Sequence, residues 1–303
     1  MRMHMDWVLV AVSSAADARL GELAKNSVSA VGGTPNGWSS LSDTGPLQAG
    51  ALRFSAASES LGALRAALEA AGPIDAAILP AARFGRKRLI ISDMDSTIIG
   101  QECIDEIADA VGLKAKISEI TERAMRGELD FEAALTERVA MLKGLPLDAL
   151  ARTLEERITL NPGARTLIAT MKAHGAATLL VSGGFTYFTS RVAALAGFES
   201  HQGNTLIDDG AALTGEVGQP ILGRVAKRTA LLEAAASLGA AAEDAIAMGD
   251  GANDLDMIRA SGLGVAYKAK PVVAAEAAGS IRHTDLTAAL FFQGYKASEF
   301  VRG

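Results

Sequence analysis

The chain has 303 residues, enough for a substantial core in one large domain or in two to three smaller ones. Its formal net charge of −6 argues against broad electrostatic attraction to nucleic acid or to anionic membranes. One cysteine, Cys103, excludes an intramolecular disulfide and a cysteine-based zinc cluster, and fits a reducing cytoplasm.

The opening stretch, MRMHMDWVLVAVSSAA, holds a short apolar run that His4 and Asp6 interrupt at its start. The run falls well below the ~18–20 residues needed to cross a bilayer. No long apolar segment with a cleavage site follows it, so a secretory signal is not expected. Residues 1–84 read as a small α/β unit. WVLVAV and GALRFSA have strand patterning, SLGALRAALEAAG has that of a helix, and IDAAILP that of a further strand. VGGTPNGWSSLSDTGPLQAG is rich in turn formers and reads as loop. This unit carries no catalytic cluster. The roles open to it are packing, homodimer formation or regulation.

KRLIISD begins a second unit. Between residues 101 and 160 the character changes: ECIDEIADAVG, KISEITERAMRG, FEAALTERVAMLKG and LDALARTLEERI each carry a helical apolar face. That pattern predicts a helical insertion between the first strand of a sheet and the rest of it. NPGARTLIATMKAHGA follows as a helix behind Pro162, then ATLLVSGG as strand and turn, and GNTLIDDGAALTGEV as a hairpin. RVAKRTALLEAAASLG is helical, and DAIAMGDGANDLDMI is again a strand ending in an acidic turn. SGLGVAY, KPVVAAEAAG and IRHT continue the alternation, which predicts a mostly parallel α/β sheet. Such sheets gather their sites at the carboxyl ends of the strands, so distant turns can converge.

Three turns and one helix carry chemistry. In RLIISDMDSTIIGQE, Asp93 and Asp95 follow three apolar residues; in GDGAND, Asp250 and Asp254 do the same. Four carboxylates around one cavity repel unless cationic charge compensates them. All-oxygen ligands favour Mg²⁺ or Mn²⁺ over zinc, and the reading is one Mg²⁺ shared by Asp93, Asp250 and a phosphate. Taken singly, each acidic turn is equally explained as a helix cap. In LLVSGGF, Ser182 can donate to phosphate, the glycines let backbone amides approach an anion, and a helix starting near Phe185 adds its positive end. Lys227, near the start of its helix, can neutralise a phosphate or keep a carboxylate ionised. Neighbouring Arg228 is an alternative on chemistry alone.

DMDSTII, SGG, the lysine of AKRTALL and GDGANDLDM, in this order, resemble the haloacid-dehalogenase superfamily of phosphohydrolases, and within it the phosphoserine phosphatases. The resemblance covers about residues 86–294. It implies an α/β, three-layer Rossmannoid core with a mostly parallel sheet over residues 85–303. A helical cap would be inserted at 101–160, and a small N-terminal α/β domain, ACT-like in some members, would occupy 1–84. It implies Mg²⁺-dependent hydrolysis of O-phospho-L-serine, a small phosphorylated amino acid, in the last step of serine biosynthesis. Asp93 would be the nucleophile and Asp95 the proton-transfer group. The metal would be held by the Asp93 carboxylate, the Asp95 carbonyl and Asp250, with Asp254 organising its surroundings. Ser182, Gly183, Lys227 and Asn253 would meet the phosphate. On the cap, Glu102 would take the ammonium and Arg138 the α-carboxylate, with Met125 and Phe131 as walls. Without the resemblance, Met125 and Phe131 are ordinary helix-core residues and Arg138 a surface ion-pair partner of Glu137.

The rival readings are a phosphatase or phosphotransferase for another small metabolite using the same aspartyl intermediate, and a noncatalytic phosphate-binding or regulatory protein. Retention of both Asp93 and Asp95 argues against the second. No GxxxxGK loop is present for an ATP-dependent kinase, and no concentrated basic and aromatic stretch for nucleic acid.

Overall fold

Alternating apolar residues in the first strand face two different partners, and this decides how the molecule is assembled. A computed structural model describes residues 4–15, 19–125 and 129–303. In it the N-terminal unit comprises β1 (Met5–Ser13), α1 (Leu20–Ala30), β2 (Thr34–Ser40), β3 (Gln48–Ala56), α2 (Leu61–Ala71) and β4 (Asp75–Pro80). The strand order β2-β3-β1-β4 with antiparallel pairing is the split βαβ arrangement. Trp7 and Leu9 of β1 pack with Leu52, Phe54 and Ile78 beneath Ala24, Val28, Leu64 and Leu68 of the two helices. Val8, Val10 and Val12 point the other way, into the core that contains Leu290, Phe291 and Phe292 near the C-terminus.

The second unit contributes β5 (Leu89–Ser92), β6 (Ala177–Phe185), β7 (Ser200–Asn204), β10 (Ala245–Gly249), β11 (Leu263–Tyr267) and β12 (Gly279–Ile281). These pair in parallel in the order β12-β11-β10-β5-β6-β7. A separate hairpin is formed by β8 (Leu206–Asp208) and β9 (Leu213–Val217). On one face α7 (Ala164–Ala173), α8 (Thr186–Ala196) and α12 (Ala288–Phe291) cover Ile90 and Leu180. On the other, α9 (Arg224–Ser237) and α10 (Leu255–Ala260) cover Ile91, Leu179 and Val181, and α11 (Pro271–Glu276) packs on α10 and β11. Four helices lie between β5 and α7: α3 (Cys103–Ala110), α4 (Lys114–Met125), α5 (Phe131–Ala140) and α6 (Leu147–Arg157). The two strands of chain leading into and out of this group are joined by the Ile99–Leu160 bridge. A further backbone bond runs from Asn161 N–H to the Ile98 carbonyl at 2.8 Å. The Asn161 amide also donates to the Thr97 carbonyl at 2.8 Å.

No break in the sheet separates the two units. β4 pairs antiparallel with β12, so ten strands run as one sheet. Two local expectations fall short. α1 has no counterpart in the sequence reading, and the stretch read as loop contains β2. Trp38 explains the second: its ring lies over Gly50, where a Cβ would stand 2.2 Å from the indole Cζ2. A turn-rich segment is thereby anchored as an edge strand by one aromatic side chain on a bare backbone.

Asp75, at the start of β4, fastens the junction. It is 1% exposed. Its carboxylate accepts from the backbone N–H groups of Arg282 (2.7 Å), His283 (3.1 Å) and Thr284 (2.8 Å), and from the Thr284 hydroxyl (2.5 Å). The same loop continues to Leu286, whose N–H donates to the Pro162 carbonyl at 3.1 Å, just after the four-helix group. Asp75→Ala would strand several buried donors at once. We expect it to destabilise the fold by roughly 3 kcal/mol or more, read as a lower denaturant midpoint with an unchanged slope. An unaltered midpoint would contradict this account of the junction.

Candidate active site

β5 and β10 are adjacent and parallel, so Asp93 and Asp250 emerge side by side at their carboxyl ends. The Asp93 N–H donates to the Met248 carbonyl at 2.9 Å, which locks the two strand ends in register. After Asp93 the chain makes a single wide turn, Met94–Ile98, in which Asp95 keeps an extended ψ of 138° and Ser96 takes a left-handed φ of 53°. A non-glycine residue in that region is strained and is held only by its surroundings. Here the Ser96 N–H donates to the Gln101 carbonyl at 3.2 Å and its hydroxyl to Glu102 Oε1 at 2.7 Å. The turn points Asp93 and Asp95 into one space, which a continuing strand would not do. No regular helix starts at Thr97.

At the centre stands Lys227, on α9 and 1% exposed. Its ammonium donates to Asp93 Oδ1 at 2.8 Å and to Asp254 Oδ1 at 2.7 Å. The other Asp254 oxygen accepts from the N–H groups of Asp250 (3.1 Å) and Gly251 (3.0 Å), so both of its oxygens are engaged. The choice between Lys227 and Arg228 is therefore decided: Lys227 is the residue among the carboxylates. Among the described residues the Asp250 carboxylate accepts a long bond, 3.4 Å, from the Thr97 hydroxyl. Ligand oxygens of Asp93, Asp250 and Asp254 lie within 4.8 Å of one another, a donor set of hard oxygens that fits a divalent cation.

Across the space, Asp95 Oδ1 accepts from the Cys103 N–H at 3.0 Å, and Oδ2 faces the Ser182 hydroxyl at 3.3 Å. Ser182 in turn accepts from the Gly184 N–H at 2.8 Å. A Cβ on Gly184 would stand 2.8 Å from Asp95 Oδ2, so the turn after β6 approaches this closely only as glycine. Above it lies the four-helix group. The Phe131 ring covers Gly183, with its Cζ 3.0 Å from the position of a Cβ there. A cavity of about 610 Å³ opens beside that ring, between Glu132, Gly223 and Arg224, and none of the carboxylates just described lines it.

Glu102 caps the start of α3 and Arg138 lies on α5. The Arg138 Nε donates to the Ala134 carbonyl at 3.1 Å and Nη1 to the Thr121 hydroxyl at 3.3 Å; an ion pair with Glu137 is not among the contacts of the described residues. The Met125 side chain lies outside the described residues. Asn253 is half-buried in the turn after β10, and Lys227 does not donate to it. Two contributors escaped the sequence reading. Thr97, buried, touches Asp250, and Ser96 holds Glu102. Both lie within DMDSTII, so the motif itself was the available signal.

The charges are unbalanced. Burial pushes Asp93 well above the usual carboxylate value and Asp254 adds to the push, against the pull of Lys227. Burial raises Asp95 too, opposed by its bonds to Cys103. Asp250 is pushed up to about 6 by burial and by Asp254, and Glu102 up to about 8 by burial and by Asp95. Burial alone would depress Lys227, but Asp254 and Asp93 hold it above the ordinary lysine value. Burial raises the carboxylates, their mutual repulsion adds to it, and a single buried ammonium serves several acids, so a second cation is wanted.

That imbalance has a pH signature. The folded chain keeps protons on Asp250 and Glu102 above their ordinary values of 3.8 and 4.5, so their contribution to stability is complete at low pH and is lost as pH rises through about 6 and about 8. The metal-free protein should therefore show a falling thermal midpoint from pH 5 to pH 8, and a divalent cation held by Asp250 should remove the part of the fall below about pH 6. A midpoint that rises across this window without metal would contradict the assignment.

Residues 90–259 match the haloacid dehalogenase-like hydrolase family. A phosphoserine phosphatase of Albidiferax ferrireducens is 48% identical over 209 residues, which cover 67% of this chain and 88% of that protein. The crystal structure of a HAD family hydrolase from Salmonella enterica superposes with a TM-score of 0.80 at 32% identity, covering 95% of this chain and 98% of that one. The unliganded structure of a probable phosphoserine phosphatase from Vibrio cholerae gives 0.75 at 29% identity, covering 97% and 88%. The chain belongs to the haloacid dehalogenase-like hydrolases.

Proposed function

We propose that this chain hydrolyses O-phospho-L-serine to L-serine and phosphate by way of a phosphoryl group carried on Asp93. The observation that carries this reading is the position of Asp93: its Oδ1 lies 2.8 Å from Lys227, in the same space as Asp95 and Ser182. An Asp93 oxygen attacks phosphorus, the bond from phosphorus to the serine oxygen breaks, and Asp95 delivers a proton to that oxygen. Burial raises Asp95, which suits it to hold the proton beforehand. In the second step water attacks the same phosphorus, gives its proton to Asp95, and the bond to Asp93 breaks. Two positioned displacements replace one direct hydrolysis.

Ser182 and the Gly183 N–H bind the oxygens of the transferring group, Lys227 offsets the charge on Asp93 and phosphate, and Asn253 contributes beside them. Asp254 keeps Lys227 and the 250–251 backbone in place. The Asp93 and Asp250 carboxylates and the Asp95 carbonyl would hold Mg²⁺, which when bound supplies the second cation. Selection of the leaving group falls to the helical cap over residues 101–160. There Glu102 takes the ammonium and Arg138 the carboxylate through its planar fork. Phe131 walls the pocket, and the closed cap excludes water until the group is in place. Residues 1–84 are read as a small ACT-like α/β unit with a packing, dimerising or regulatory role, built onto the same sheet. One cysteine, and the lack of a helix long and apolar enough to cross a membrane among the described residues, support a cytoplasmic setting.

Phosphate release measured with L-phosphoserine, its enantiomer, phosphothreonine and sugar phosphates tests the substrate. The L-amino-acid ester should be preferred, activity should vanish with a chelator, and Mg²⁺ should restore it. Clear preference for a sugar phosphate would overturn the assignment. Asp93→Asn should lower kcat by roughly 10⁴-fold or more while the fold persists, and Asp95→Asn by about 10²- to 10⁴-fold. Near-normal turnover in the Asp93 variant would refute its role.

A further inference from the structure

The pairing of β6 with β7 skips at its active-site end. Val181 faces Gln202 and Phe185 faces Asn204, so residues 182–184 stand against Gly203 alone. A bulge of this kind takes backbone groups out of the ladder and leaves them in need of other partners. Asn204, 2% exposed, supplies one. Its Nδ2 donates to the Gly183 carbonyl at 2.8 Å. The same amide grips Leu222, donating to its carbonyl at 3.2 Å and accepting from its N–H at 2.6 Å. Both amide hydrogens are thereby used. Leu222 is followed by Gly223, from which α9 and Lys227 start. One buried side chain thus ties the 182–184 turn to the helix that carries the central lysine.

The Gly183 carbonyl belongs to the peptide unit whose other end is the Gly184 N–H, and that N–H donates to Ser182 Oγ at 2.8 Å. Asn204 and Ser182 therefore hold one peptide plane from its two sides. Both flanking residues are glycine, so without a partner this plane would rotate at little steric cost. The glycines are themselves imposed by crowding. A Cβ at Gly183 would stand 3.0 Å from Phe131 Cζ, and one at Gly184 2.8 Å from Asp95 Oδ2. The turn cannot draw rigidity from its own side chains, and Asn204 provides it from the neighbouring strand. Ser182 feels the consequence. Because its Oγ accepts from Gly184, its own hydrogen is turned toward Asp95 Oδ2, 3.3 Å away, and the space between them. A rotated plane would instead aim a carbonyl oxygen at that space, where it would repel a phosphate.

We propose that Asn204 is a positioning residue for phosphoryl transfer: by holding the Gly183 carbonyl it keeps the Gly184 N–H on Ser182 Oγ, which aims the Ser182 hydroxyl at the transferring group. This role rests on the reaction proposed above, though not on the identity of the leaving alcohol. It is exercised through Ser182, so it exists only while that hydroxyl is present. An amide that served only to join β7 to the start of α9 would stabilise the fold without regard to Ser182.

The test is a cycle of Asn204→Ala, Ser182→Ala and the two combined, read as kcat, KM and denaturant midpoint on L-phosphoserine and on p-nitrophenyl phosphate. Asn204→Ala should lower kcat about 10- to 100-fold on both esters, with KM changed by less than about threefold. On the Ser182→Ala background the same substitution should lower kcat by less than about threefold, while the midpoint falls equally on both backgrounds. Losses of kcat that multiply with those of Ser182→Ala, or a lowered midpoint with kcat unchanged, would overturn the proposal. Should Asn204→Ala not fold, Asn204→Ser, whose hydroxyl can meet one partner but not both, takes its place in the cycle. Failure of both to fold would also overturn it, because the amide would then be holding the fold and not the turn. Preference of the unaltered enzyme for another ester would overturn the substrate assignment alone and leave the cycle to be read on p-nitrophenyl phosphate. Release of phosphate from neither ester would overturn both.

Discussion

One buried ammonium held between two carboxylates is the interaction on which the site depends. Lys227 reaches Asp93 from β5 and Asp254 from the turn after β10, at 2.8 and 2.7 Å. Those residues come from three separate parts of the chain, and parallel pairing of β5 with β10 is what brings two of them together. Removing Lys227 would leave uncompensated charge in a place water does not reach, which costs far more than the same loss at the surface. Yet one lysine does not balance Asp93, Asp95, Asp250 and Asp254. Burial and that deficit together raise the carboxylates and make the site a receptor for further positive charge. A resting state short of cationic charge is suited to bind a metal, and a metal-loaded one would accept a phosphate dianion.

Around this centre the rest of the molecule is layered by function. The sheet supplies rigid strand ends. The wide turn at Met94–Ile98 redirects the chain so that two nearby aspartates share one space, at the expense of a left-handed Ser96. The four helices between β5 and α7 stand over it, entering and leaving through the Ile99–Leu160 bridge, so their placement is tied within a few residues to Asp93 and Asp95. At the far edge, β4 extends the same sheet through β12. Asp75 pins the loop that follows, and that loop touches Pro162 at the exit from the helical group. Mechanical continuity thus runs from the N-terminal unit to the base of the cap without a flexible linker.

Much of this was legible in the sequence. The parallel core followed from repeated strand-then-helix patterning, and the convergence of Asp93, Ser182, Lys227 and Asp250 followed from the rule that such sheets gather their turns at one edge. Lys227 could be told from Arg228 only with the resemblance or the structure, because both lie near a helix start and only packing separates a buried head from a solvated one. α1 was missed since Leu20–Ala30 mixes Ser, Asn and Lys among few apolar residues. β2 was missed because its stability comes from Trp38 seated on Gly50, a contact between distant positions that no local pattern carries. The continuity of the sheet across β4 and β12 was hidden for the same reason: edge pairing leaves no periodicity of its own.

The central claim is that an Asp93 oxygen, poised by Lys227, takes the phosphoryl group. Rapid acid quenching during turnover of phosphorus-labelled L-phosphoserine, followed by reductive trapping of the acyl phosphate and peptide mass spectrometry, locates the group directly. The account predicts a single modified residue, Asp93, formed at a rate at least equal to turnover. Label absent from the protein at every quench time, or resident on another side chain, would contradict it.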